Sequence, residues 1–159
     1  MRERVSNRGF TLVEVLVTAA IIGILVAISI VAYADHLEKA RIARVANDLK
    51  AFEEAFLDFL LDTGSFPPDS HLNAPYHLAN GVGIEKYIPL NSWVSTTPLG
   101  GNYNWEGLNN YPYAGISLFA TTASIETLTK LDEVIDNGDI NTGIFRKTPN
   151  NRYTYIITE

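Results

Sequence analysis

The chain has 159 residues, of which 47% are hydrophobic, 11% aromatic and 19% charged, and its formal net charge is −6. The aromatic content excludes a disordered chain, and the lack of cysteine excludes a disulfide scaffold and a thiolate metal site. The acidic balance argues against direct nucleic-acid binding, which needs a basic surface. A chain of this length forms one domain, with room for an appendage.

Charge is distributed unevenly over the first 34 residues. Arginines outweigh the single acid in residues 1–8, and residues 15–34 contain no charged side chain. From Phe10 to Ala34 the chain is apolar except for Glu14 and a few Thr, Ser and Gly residues. Because about 20 apolar residues span a bilayer as a helix, this run predicts a single transmembrane segment, with its basic N-terminus in the cytoplasm.

Two ordinary explanations of this segment compete. A secretory signal peptide also starts with positive charge, and Ala32-Tyr33-Ala34 offers a small-residue cleavage site before Asp35. The apolar core of a signal peptide is, however, about 7–15 residues long, roughly half of the run found in this chain. A plain membrane anchor accommodates the length but gives no function to Glu14. Its carboxylate lies near the edge of the span, so it either reaches the lipid headgroups or needs a cationic partner.

A motif at the start of the apolar run supplies that partner; it reads Arg8-Gly9-Phe10-Thr11-Leu12-Val13-Glu14. With the uncharged run that follows, the motif closely resembles the processing signal of type IV pilins and type II secretion pseudopilins. The resemblance implies that residues 1–9 are a leader that a prepilin peptidase removes by cutting after Gly9. It further implies that Phe10 becomes the N-methylated terminus and that Glu14 is the carboxylate used in assembly.

The chemistry of this arrangement is coherent. Cleavage creates an α-ammonium on Phe10 at the lipid boundary, and in stacked subunits this cation neutralises Glu14 of a neighbour or of its own chain. Such a pair is strong in a medium of low dielectric, and an unpaired carboxylate is costly there. We therefore expect residues 10–34 to form a transmembrane and filament-core helix. The expected partners are other subunits, membrane lipid before assembly, the peptidase and an inner-membrane assembly platform.

Residues 35–62 predict an amphipathic continuation of the same helix. The segment contains neither proline nor glycine, and its apolar residues recur at steps of three and four. These residues are Ile42, Val45, Leu49, Phe52, Phe56 and Phe59. We predict one helix from about Phe10 to Asp62, ended by Gly64 and unable to continue through Pro67.

Residues 63–159 predict a C-terminal globular α+β domain. Neither this part nor the apolar stripe of the helix buries enough surface alone, so the two must pack together. Glu85 to Pro89 is interpreted as the end of a short helix. Three strands are predicted, one entered from the turn at residues 97–101 and the others over Tyr113–Phe119 and Arg152–Thr158.

A short helix is predicted between the last two of these strands. Ser124 is a suitable N-cap, and Ile125, Leu128 and Leu131 share one face of the helix. The expected fold class is α+β and pilin-like, with a long N-terminal α-helix packed against a small antiparallel β-sheet.

An acidic segment follows the predicted helix and has two interpretations. Its oxygen-bearing side chains predict a calcium loop, as some major pseudopilins have, with the ligands Asp132, Asp136, Asp139 and Asn141. The spacing is not that of an EF-hand, and Asn137-Gly138 is ordinary turn chemistry, which is the favoured interpretation. The histidines show no spacing typical of a metal site; they are His36, His71 and His77.

The expected function is that of a structural subunit of a type II secretion pseudopilus in the bacterial inner membrane, with the globular domain in the periplasm. The small domain and the lack of a disulfide favour this function over that of a type IV pilus subunit for adhesion, motility or DNA uptake. A membrane-anchored binding module that does not polymerise is the alternative from another class. A secreted enzyme cut after Ala34 is a third, and no catalytic motif supports it.

Overall fold

The computed structural model describes residues 9–69 and 83–159 of the chain. The helices are α1 (Leu12–Thr63), α2 (Leu90–Val94) and α3 (Ile125–Ile135), with a 3-10 turn at Ile84–Lys86. The strands are β1 (Asn102–Glu106), β2 (Ala114–Phe119), β3 (Phe145–Thr148) and β4 (Arg152–Thr158). The chain divides into two compact units, Met1–Glu38 and Lys39–Glu159, and α1 contributes residues to both.

The first unit contains the apolar part of α1. The large apolar side chains of Leu12 to Ile30 whose burial is described are between 50% and 78% exposed. Among the described residues, α1 is the one helix that is long and apolar enough to cross a membrane. A helix that is apolar all round is stable in lipid or among other apolar helices, and this surface suits both.

The second unit has its core between the amphipathic part of α1 and the sheet. All six residues of the predicted stripe are buried, which confirms the period inferred from the sequence. Phe56 stacks on Trp105 with ring centroids 3.8 Å apart, and Phe52 meets Trp93 edge-on at 5.0 Å. Burial of each such side chain contributes about 1.5–3 kcal/mol, so this stripe is the main attachment of α1 to the sheet.

The sheet has four antiparallel strands in the order β1-β2-β4-β3. One cross-strand row consists of buried side chains, and its members in sheet order are Trp105, Ile116, Tyr155 and Phe145. Because side chains alternate along a strand, the next row, which contains Ser117 and Thr154, lies on the opposite face. The sheet therefore has an apolar face for the core and a polar face that is nevertheless buried in part.

The strand β3 was not predicted, and the expected count of three strands is wrong. β3 has only four residues, two of them basic, so its composition does not indicate a strand. The better signal follows it, because Asn150 and Asn151 both have positive φ, of 64° and 55°. Asparagine tolerates this conformation, and the pair joins β3 to β4 as a hairpin.

The ends of the helices differ from the predictions in two places. Gly64 ends α1 as expected, with φ of 81° and an N–H that donates to the carbonyl of Leu60 at 2.8 Å. The short helix predicted to end over Glu85 to Pro89 is confirmed in part by the 3-10 turn at Ile84–Lys86. Pro89 itself precedes α2, where its φ of −68° suits a helix start. Ser124 caps α3 as predicted, but Ile125 is 55% exposed and does not share the buried face.

Candidate assembly site

The start of α1 is closed by a reciprocal pair of hydrogen bonds between Thr11 and Glu14. The backbone N–H of Thr11 donates to Glu14 Oε2 at 2.8 Å, and the Thr11 hydroxyl donates to the same oxygen at 2.9 Å. In return, the N–H of Glu14 donates to Thr11 Oγ1 at 3.3 Å. This is a capping box, which satisfies two N–H groups that a helix start otherwise leaves open. The Thr-x-x-Glu spacing is the sequence signal for this capping box, which was not among the predictions.

The capping box leaves half of the Glu14 carboxylate available. Both donated bonds from Thr11 end on Oε2, and within residues 9–69 and 83–159 no hydrogen bond reaches Oε1. The positive end of the helix dipole also favours a negative charge in the first turn. Glu14 is therefore held in place as an anion by its own chain while one oxygen remains free to accept a donor from another molecule.

The predicted processing residues lie immediately before the capping box. Phe10 is 87% exposed, and Gly9 has enough space that an added Cβ would meet no atom within 4 Å. The fold of the described residues therefore gives no reason for glycine at position 9, and a requirement for it would come from a processing enzyme. The predicted leader residues 1–8 lie outside the described part of the chain.

The predicted calcium loop is built as a set of local turns. Asp139 Oδ1 accepts from the N–H and the amide of Asn141 at 3.1 and 2.9 Å, and Asp136 Oδ2 accepts from the N–H of Ile144 at 2.6 Å. The bonds from Asn141 hold the pKa of the Asp139 carboxyl below its usual range. In the part of the chain that the structure describes, no three acidic or histidine side chains are grouped to hold a metal ion. Calcium binding stays a prediction from sequence, and His71 and His77 lie outside the described residues.

Asp132, the first residue of that acidic segment, is fully buried on α3. Neither of its carboxylate oxygens has a hydrogen bond of ordinary geometry within the described residues. Burial raises the pKa of the Asp132 carboxyl, the charge of Asp136 raises it further, and the N–H groups of Gly138 and Asp139 lower it in part. The buried Asp132 side chain therefore lowers the free energy of unfolding, and it does so more strongly when it is ionised.

A second buried acid, Glu106, is fully paired. Its Oε1 accepts from the guanidinium of Arg152 at 2.8 Å. Its Oε2 accepts from the hydroxyl of Tyr113 at 2.8 Å and from that of Thr154 at 3.1 Å. Burial raises the pKa of Tyr113 to about 12. The cluster joins β1, β4 and the loop after β1, and no sequence spacing indicated it because its members are far apart in the chain.

Two family models match this chain. One, for the prokaryotic N-terminal methylation motif, matches residues 4–30, and one described as PilW, C-terminal, matches residues 36–112. These matches cover the apolar run with its motif and part of the globular domain.

Curated relatives come from two kinds of system. The chain is similar to the type IV major alpha-pilin of Moraxella bovis, with 42% identity over 62 residues that cover 39% of this chain and 38% of that protein. It is similar to type II secretion system core protein G of Escherichia coli, with 30% identity over 107 residues that cover 67% and 64%. It is also similar to the type IV major pilin protein PilE of Neisseria gonorrhoeae, with 32% identity over 105 residues that cover 63% and 61%. The chain thus spans less than two thirds of the length of each.

A solved structure shares the fold. The major type IV pilin PilA1 from Clostridium difficile superposes with a TM-score of 0.55 and 19% identity, covering 78% of this chain and 98% of that one. The long N-terminal helix and small antiparallel sheet are therefore the architecture that the sequence predicted.

Proposed function

Since this chain belongs to the family of type IV pilins and type II secretion pseudopilins, we propose that it is a pseudopilin. It is a structural subunit of a type II secretion pseudopilus and supports the export of folded proteins by polymerising through its N-terminal helix. The observation that carries the structural role is the exposed, charge-free surface of residues 15–34 of α1, which follows a Glu14 with one unbonded oxygen. The similarity to protein G over 107 residues and the absence of cysteine favour the pseudopilus.

In the proposed mechanism, the precursor crosses the inner membrane once, with residues 1–9 in the cytoplasm and the globular domain in the periplasm. A prepilin peptidase cuts after Gly9, and the ammonium of Phe10 becomes available beside the capping box. Oε1 of Glu14 then accepts a hydrogen bond from the Phe10 ammonium of a neighbouring subunit, while Oε2 keeps its hydrogen bonds from Thr11. Pairing removes the cost of a lone carboxylate, and the apolar helix exchanges lipid for neighbouring helices.

A type IV pilus subunit is the second candidate. Its support is that the Moraxella bovis relative and the Neisseria gonorrhoeae relative are both named as pilins. The two candidates differ in the phenotype of a deletion strain. Loss of extracellular folded proteins with normal adhesion and motility supports the pseudopilus, whereas normal export with lost adhesion, motility or DNA uptake overturns it in favour of the pilus.

The N-terminus of the mature protein tests the processing step directly. We expect N-terminal sequencing and mass spectrometry of the membrane-associated chain to find methylated Phe10. A start at Asp35 would instead support a signal peptide, and an unprocessed Met1 would leave a plain anchor or binding module. Gly9→Val is the matched variant: it is expected to leave the precursor folded and uncut, because a side chain at this position meets nothing in the described structure.

A further inference from the structure

Charge is segregated along the amphipathic part of α1. Residues 39–50, here the basic segment, contain Lys39, Arg41, Arg44 and Lys50 and a single acid. Residues 53–62, here the acidic segment, contain Glu53, Glu54, Asp58 and Asp62 and no base. A helix stabilised only by its own surface ion pairs has interspersed signs, so this separation calls for another explanation.

Most of these charges face away from the core of their own unit. Arg44, Lys50, Glu54 and Asp58 are all exposed. The side chains of Lys50, Glu54 and Asp58 form no ion pair and no hydrogen bond within the described residues, although Lys50 and Glu54 lie at i,i+4 spacing. Arg44 has a weak partner, because its Nε lies 3.6 Å from Asp48 Oδ1. Within the second unit, the exposed charges of the basic segment and of the acidic segment therefore do not pair with each other.

Two leucines lie within the acidic segment on the same exposed side. Leu57 is 37% exposed and Leu61 is 81% exposed, and they are one helical turn apart. Together with Glu54 and Asp58 they form a surface with an apolar strip bordered by acids. Contact with basic side chains stabilises a strip of this kind in two ways. The aliphatic stems of Lys and Arg cover the apolar surface, and their charged ends pair with the neighbouring carboxylates.

We propose that this face of α1 is a contact between copies of the chain, in which the basic segment of one copy lies against the acidic segment of the next. The segments are centred about 13 residues apart, which is about 20 Å along a helix. Parallel copies in register would place like charges together and repel. A parallel copy displaced along the axis by about that distance would place opposite charges together.

The inference rests on the proposed function in one respect. An antiparallel pair in register would also match opposite charges, but subunits inserted in one membrane with the same orientation form only parallel contacts. The two contact surfaces are then different parts of the molecule, so the contact is heterologous and continues as an open helical array instead of closing as a dimer. Charge separation along α1 thus sets the axial stagger between these two copies. Phe10 and Glu14 lie only about 6 Å apart along a helix, so the pair that they form involves a different neighbour in the array.

Charge reversal tests the contact in the full-length chain. One variant, Glu54→Lys with Asp58→Lys, replaces the exposed acids of the acidic segment by lysines and leaves that segment with no net charge. The other, Arg44→Glu with Lys50→Glu, changes the basic segment from a net charge of +3 to −1. Each variant alone is expected to form at least about tenfold fewer filaments than the wild-type chain, because the contact loses its net attraction and the exchanged side chains meet like charges. Co-expression of the two variants is expected to restore filaments that contain both.

Matched controls separate this effect from net charge and from folding. Glu85→Lys with Glu133→Lys, and Lys86→Glu with Lys147→Glu, change the charge by the same amounts at exposed positions outside α1 and should assemble normally. Lys50→Glu and Asp58→Lys as single changes avoid the Arg44–Asp48 pair, and circular dichroism of each variant verifies its fold. Normal filaments from folded reversal variants, or no rescue on co-expression, would overturn the contact while leaving the proposed function intact. Absence of filaments from the wild-type chain would overturn the proposed function itself.

Discussion

At the scale of single residues, Glu14 caps α1 through one carboxylate oxygen, and its proposed role in pairing uses the other. Oε2 accepts both bonds from Thr11, and Oε1 is free within the described residues. A structural capping role depends on the ability to accept hydrogen bonds, which glutamine retains in part. A pairing role depends on negative charge, which glutamine lacks. The two roles are therefore separable by substitution.

We predict that Glu14→Gln is cleaved and folded but forms few or no filaments. The amide oxygen still accepts from Thr11, while the cation of a neighbouring subunit loses its counter-charge. Thr11→Val is the complementary variant, since it removes the hydroxyl that caps the helix and costs about 1 kcal/mol of helix stability; Thr11→Ser should restore it. Electron microscopy of sheared filaments, with immunoblots for cleavage, provides the measurement, and abundant filaments from Glu14→Gln would contradict the pairing role.

Asp132 gives a prediction on the pH dependence of stability. Its pKa in the folded state is raised by burial, so ionisation opposes folding. The penalty is absent well below the ordinary aspartate pKa of about 3.9, where both states are protonated. It grows as pH rises from there to the raised pKa, and it is constant above that. Asp132→Asn should therefore stabilise the protein by about 1 kcal/mol more at pH 7 than at pH 3.

Thermal unfolding at the two pH values measures this difference. Asp139→Asn is the control with the opposite sign, because hydrogen bonds from Asn141 lower the pKa of Asp139 and ionisation there favours folding. An equal effect of Asp132→Asn at both pH values would show that its carboxylate carries no ionisation penalty.

At the scale of elements, the Glu106 cluster ties β1 to β4, which are not adjacent in the sheet. The side chain of Glu106 is 0% exposed and that of Arg152 is 14% exposed. Water therefore does not replace a missing partner, and the loss of either charge leaves the other without compensation. Buried pairs of this kind are costly to break from one side.

We predict that Arg152→Met lowers the free energy of unfolding by about 3–5 kcal/mol, because it leaves the Glu106 carboxylate buried without a cation. The double variant with Glu106→Gln should lose less than Arg152→Met alone, since the charge is then removed from both sides. Chemical unfolding followed by tryptophan fluorescence gives these values. Lys130→Met, which breaks an exposed pair with Glu126, should cost less than about 1 kcal/mol, and a comparable loss there would contradict the argument.

Predictability from sequence differs among the elements for a physical reason. The stripe from Ile42 to Phe59 was predictable because helical periodicity repeats over several turns and survives in a single sequence. β3 was missed because a strand of four residues carries too little alternation, and the turn at Asn150 was the stronger cue. Among site residues, Glu14 followed from a local motif, whereas Glu106 and Asp132 acquire their burial only from distant segments. Local patterns can thus be predicted from a single sequence, whereas contacts between distant segments cannot.

At the scale of the whole molecule, the proposed processing step has a consequence for net charge. Residues 1–9 contain three Arg and one Glu, so cleavage after Gly9 moves the formal charge from −6 to −8. Cleavage after Ala34 would also remove Glu14, giving −7. We predict that isoelectric focusing of the processed chain shows the larger acidic shift relative to the precursor. A shift of one charge in place of two would contradict cleavage after Gly9.

The capping box also bears on what happens when a filament is taken apart. A subunit that loses the cation of its neighbour keeps the bonds from Thr11 to Glu14, so the first turn of α1 stays formed. The apolar surface of residues 15–34 suits lipid as well as neighbouring helices, so the released chain is stable in the bilayer. We therefore expect subunits to be reused from a membrane pool over several cycles of assembly without being refolded or degraded.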